Sequence, residues 1–253
     1  MALKLITPPA MEPVTLAEAR AQMHGYEDED SLIQSYIAAA RQSSEHCTRR
    51  AYLSQVWELT LDRWPAKAIK LPFPPLISVA SIKYKDQDGT ETTWDQANYI
   101  IDADSEPAQV VLAYNESWPN ETLYPVGAIK IRFSAGYPLY RGIVNTSGTA
   151  VTKITGDDFN TDWPSGHPIN VAGETYMVSA VISTISLILQ TTAGAKTGAV
   201  YTANNVPAPL KQAILLRVAH MHENREPVIV GTSVVALPFA INALEAGFRV
   251  FNF

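Results

Sequence analysis

The chain has 253 residues, 47% hydrophobic and 17% charged, a length between one large domain and two small ones and enough apolar material for a core. Nineteen Lys and Arg stand against 25 Asp and Glu, a net charge of −6, which argues against a protein that coats phosphate backbones but leaves open a ring or channel that nucleic acid passes through. The single cysteine, Cys47, excludes an intrachain disulfide framework and a Cys-based zinc site, and neither a signal peptide nor a membrane span is expected.

The first fifty residues read as helical. Thr15 stands three residues before Glu18, the spacing of a capping box, and predicts a short helix ending near His24 with Gly25 placed to stop it. Acidic Glu27 to Asp30 then precede a second helix, where Leu32, Ile33, Tyr36, Ile37 and Ala40 recur at helical spacing. Ser44 and Cys47 continue that stripe, so Cys47 is expected to be a small buried hydrophobe.

The period then changes to two. Trp57 to Trp64 alternates as a half-buried strand, and Pro65, Pro72, Pro74 and Pro75 confine the next strands to short pieces or sheet edges. Val79 to Lys85, Asp88-Gly89 and Thr90 to Trp94 predict a hairpin, because Asp-Gly supplies the positive φ angles of a tight turn. Further short strands are expected at Tyr99 to Ile101, Gln109 to Ala113 and Ala128 to Phe133.

From about Asn145 to Asn205 serine and threonine are dense and charge is sparse, the composition of an all-β module with polar turns. It interrupts two flanks that read as one domain, which predicts a core at 1–140 plus 206–253 and an inserted module at 141–205. Helix returns from Pro207 to about Arg225 and from Pro238 to about Phe248. The terminal Phe248-Arg249-Val250-Phe251-Asn252-Phe253 is aromatic and expected to be extended, and exposed aromatics imply that this tail docks onto something.

No motif points to catalysis. His220-Met221-His222-Glu223 fails the zinc-protease pattern, since the Glu follows the second His and position 226 is Glu. Asp86-Gln87-Asp88-Gly89 lacks the later ligands of a calcium loop, and Asp157, Asp158 and Asp162 read as turn residues. No phosphate loop and no serine with a base partner is present, so no enzyme activity, cofactor or metal is expected. The fold class expected from these elements is α+β: a helical core of two amino-terminal helices plus a carboxyl-terminal helix, a small mostly antiparallel sheet, and the inserted all-β module.

Read together, the flanks resemble the head–tail connector (adaptor, head completion) proteins of long-tailed bacteriophages. The resemblance is carried in order by Pro13 to Ala19, Asp30 to Ile33, Ala38 to Arg41, Thr48 to Arg50, Gln55 to Trp57, Leu71 to Leu76, Asp88-Gly89, Ala135 to Tyr137, Val206 to Leu216, and Leu237-Pro238. It implies a virion protein, made in the host cytoplasm, that forms a homo-oligomeric ring of typically twelve subunits between the portal protein and a stopper or tail-completion protein. DNA would pass through the lumen without sequence-specific binding, and no membrane is involved. The portal-docking element expected is the tail Phe248 to Phe253, and the alternative role for 141–205 is a host- or carbohydrate-binding module.

Overall fold

A computed structural model describes residues 1–23, 29–225 and 238–251. In chain order it contains β1 (Ala2–Thr7), α1 (Leu16–Gln22), α2 (Asp30–Thr48), β2 (Gln55–Leu61), β3 (Ala68–Leu71), β4 (Leu76–Lys85), β5 (Glu91–Thr93), β6 (Tyr99–Asp102), β7 (Ala108–Leu112) and β8 (Ile129–Ala135). There follow β9 (Leu139–Ser147), β10 (Ala150–Gly156), β11 (Pro168–Val171), β12 (Glu174–Ser183), β13 (Ser186–Leu189), β14 (Lys196–Asn204), α3 (Ala208–Glu223) and α4 (Pro238–Ala246). The chain divides into two compact units, Met1–Tyr137 with Val206–Phe253, and Pro138–Asn205.

The first unit holds two antiparallel sheets, one of order β1-β2-β8-β4-β5 and one of order β3-β7-β6. Alternation decides which side of the larger sheet is buried: Ile129, Ile131 and Phe133 of β8 point inward while Lys130 and Arg132 point outward. The inward residues join Leu59, Ile69, Leu71, Ile82 and Val110 in one apolar cluster. The β4–β5 hairpin turns at Gly89, φ +85°, and the Asp86 carboxylate accepts from the Asp88 and Thr90 amides.

A second cluster in the same unit joins Val14, Ala19, Ile33, Ile37, Ala40, Leu210, Ile214 and Val218, so α2 and α3 bury their stripes against each other. The capping box forms as the spacing predicts: Glu18 N donates to Thr15 Oγ1 at 3.2 Å and Thr15 N donates to Glu18 Oε2 at 2.6 Å. The first helix stops at Gln22; Gly25, its expected terminator, lies outside the described residues.

The second unit is a closed barrel of six strands in the order β10-β13-β12-β11-β14-β9. Val144, Val151, Ile169, Val178, Leu187 and Tyr201 fill it, with Phe159 and Trp163 in the same cluster. Two glycines allow its backbones to approach: a Cβ on Gly142 would lie 2.2 Å from Thr155 O, and one on Gly156 (φ +100°) 2.4 Å from Arg141 O.

Two expectations are corrected. The α+β class built on a helical core gives way to a mostly β chain, with 39% strand, a closed barrel and two further sheets against four α-helices among the described residues. The misreading has a physical source. Helix signals such as a cap and a 3.6-residue period are local and strong, whereas β1 and β3 are short pieces whose pairing partners lie far along the chain. The small sheet predicted beside the helices is in fact two sheets with an apolar core of their own. Cys47 is exposed, not buried. At about 100° per residue the buried positions of α2 span an arc of roughly 140°, from Ala40 to Glu45, and Cys47 falls about 20° beyond the Ala40 edge.

Candidate docking site

The end of α2 supports the tail. Arg49 takes the left-handed conformation at φ +56° and turns the chain out of the helix. The turn leaves the Thr48 carbonyl to accept from Val250 N at 3.0 Å, and Arg50 Nε donates to the Phe248 carbonyl at 2.5 Å. The same guanidinium grips Glu106 with both terminal nitrogens. Phe248 packs against the α1–α2–α3 cluster, and Val250 is 8% exposed. Arg249 Nη2 donates to Asn242 Oδ1 of α4 at 3.0 Å.

The four described residues of the predicted tail therefore divide. Phe248 to Val250 are fastened to the chain's own core, while Phe251 stands 61% exposed beyond them. Asn252 and Phe253 lie outside the described residues. The expected row of exposed phenylalanines reduces to Phe251 among the residues described.

Beside Arg50 opens a cavity of about 360 Å³ walled by Leu5, Pro9, Trp57 and Phe73, with Arg41 and Glu45 among its polar lining. Trp57 and Phe73 stack with ring centroids 4.7 Å apart. Arg41 donates to Glu12 Oε2 at 2.7 Å and to Glu45 Oε2 at 2.6 Å, and Glu45 Oε1 accepts from Tyr52 N at 2.8 Å. Burial pushes the Glu45 carboxyl above the usual range, against the opposing pull of Arg41 and the Tyr52 amide. Sequence reading did not single out this buried charge, because Arg41 and Glu45 break the apolar stripe whose side of α2 they share. The i, i+4 spacing of opposite charges was the available signal.

Two further ion-paired carboxylates tie the helices. Arg217 of α3 holds the wholly buried Glu245 of α4 at 2.9 Å and donates to Ser44 Oγ of α2 at 3.0 Å. Glu29, at the start of α2, receives Arg225 and His222 from the end of α3. The Arg225 guanidinium first, and His222 after it, hold the Glu29 carboxyl down at about 2. His220 and His222 thus serve helix-end hydrogen bonds, and no group of three or more His, Cys, Asp or Glu that could hold a metal ion gathers among the described residues.

No protein-family model and no curated protein matches the chain. Solved structures do share its fold. A chain in the "Virion of native gene transfer agent (GTA) particle" is 18% identical, with TM-score 0.60. A chain in the "Neck of empty GTA particle computed with C6 symmetry" is 20% identical, with TM-score 0.61. A third, in the "Neck of native GTA particle computed with C12 symmetry", is 20% identical, with TM-score 0.58. Each alignment covers 100% of this chain and 97% of the other, so the likeness is one of fold across both units.

Proposed function

We propose that this chain is a structural, non-catalytic subunit of the neck of a phage-like particle, assembled as a ring around the passage for DNA at the head–tail interface. The observation that carries the reading is the fold shared end to end, both units included, with chains from GTA necks solved under twelvefold and sixfold symmetry. The ordered likeness of the flanks to head–tail connectors supports the same role. A ring of twelve copies would meet the portal on one face and a stopper or tail protein on the other. The anchored tail is suited to the portal contact: its base is fixed by Arg50 and Thr48, and an exposed Phe251 is presented beyond.

Electron microscopy of the purified full chain, alone and mixed with its portal, tests the reading. Rings seated on the portal are expected. A chain that never forms rings and is missing from the vertex of assembled particles would overturn it.

A further inference from the structure

We propose that the outward face of the five-stranded sheet is one half of the ring contact, and that it receives the acidic, tyrosine-bearing loops of a second copy of the chain. This rests on the ring reading above and adds which surfaces meet.

The sheet face is out of keeping with the chain's charge. In a protein of net charge −6, it carries five cations, Lys4, Lys83, Lys85, Lys130 and Arg132, against two carboxylates, Glu58 and Glu91. Strand register puts Lys83 directly opposite Lys130, a like-charge pair that weakens the sheet it sits in. Glu91 takes Lys83 at 2.9 Å and Glu58 takes Arg132 at 2.8 Å. Lys85 and Lys130 have no ion-pair partner among the described residues. Lys83, Lys130 and Arg132 border a depression of about 120 Å³, with Ser81 and the paired Glu58 and Glu91 completing its lining.

The same chain carries the complement. In the loops and turns of the same unit Asp88, Asp95, Glu116 and Glu121 are exposed, none of them in an ion pair among the described residues. Two large apolar side chains stand out of these loops, Tyr114 at 90% and Val126 at 74% exposure. An exposed tyrosine in a loop that also carries acidic residues has the composition of an interface anchor. Copies of net charge −6 repel one another, and a head-to-tail contact of basic face on acidic loop turns that repulsion into registration.

The test is a charge swap in the full-length chain, read by sedimentation against protein concentration, with circular dichroism confirming that each variant is folded. Lys130→Glu with Arg132→Glu, and separately Glu116→Lys with Glu121→Lys, should each weaken self-association about tenfold or more. Mixing the two variants at equal concentration should restore it, because each then offers the other a complementary surface. The contact is overturned if either variant associates like the unaltered chain, if mixing restores nothing, or if the unaltered chain stays monomeric at about 1 mM. It is also overturned if the Lys130/Arg132 variant loses binding to duplex DNA while associating normally, which would give the face to nucleic acid. Rings in assembled particles would still uphold the neck assignment under any of these results.

Discussion

The two units solve the problem of the sheet edge in opposite ways. The barrel closes on itself, every one of its six strands is paired on both sides, and its interior contains side chains of one apolar cluster. The other unit leaves edges at β1, β5, β3 and β6, splits its core into a sheet cluster and a helix cluster, and buries charge in Arg41, Glu45, Arg50 and Glu245. A closed sheet needs nothing further to satisfy its backbone. An open one leaves backbone donors and acceptors along its edge strands that water or a neighbouring strand must satisfy.

The sharpest way to break that contrast is to damage each core in turn. Ile214→Asp, between α2 and α3, places an unpaired carboxylate where no partner exists and should cost about 4–5 kcal/mol, enough to leave the full chain insoluble on expression. Arg217→Ala should cost about 3–5 kcal/mol in urea unfolding, because it strands Glu245, whereas Arg217→Met combined with Glu245→Leu should recover most of that loss. Phe159→Ala in the barrel should cost about 3–5 kcal/mol as a cavity, yet lower only the barrel's transition if the units unfold separately in calorimetry. A single transition shifted as a whole would show that the contrast is wrong.

Smaller effects sharpen it. The Glu29 carboxyl titrates near 2 in the folded chain against an ordinary 4.5, so its clamp on Arg225 and His222 contributes fully above about pH 4.5 and is lost as pH falls towards 2. Acid titration between about pH 4.5 and 2 should therefore loosen this end of the α2–α3 contact, and Glu29→Gln should remove that part of the pH dependence while leaving the barrel's unchanged. Phe251→Asp should leave thermal stability within about 0.5 kcal/mol but reduce portal attachment in pull-down.

Much of this was legible in the residues. Thr15 and Glu18 announced α1, the apolar recurrence from Ile33 announced α2, Asp88-Gly89 announced the hairpin, and the Ser/Thr-rich stretch announced a β module. What could not be read was set by partners distant in sequence. β1 is a strand because Ala2 to Thr7 finds Val56 to Thr60, and nothing within its six residues says so. The anchor of the tail was hidden for the same reason: Arg50 meets the Phe248 carbonyl across nearly the whole chain. The alternation of Lys and Ile along β8 was visible, but its meaning waited on register, which decides that Lys130 faces Lys83.

One detail of the barrel reaches beyond its own stability. Its first and last strands are neighbours, with Leu139 opposite Asn204 and Asn205 N donating to Pro138 O at 3.3 Å. The polypeptide thus leaves and comes back at points about one strand spacing apart, roughly 4.8 Å. Such a cassette asks of its host only a gap that a tight turn could fill, so it can be gained, exchanged or trimmed away without re-threading the rest of the molecule.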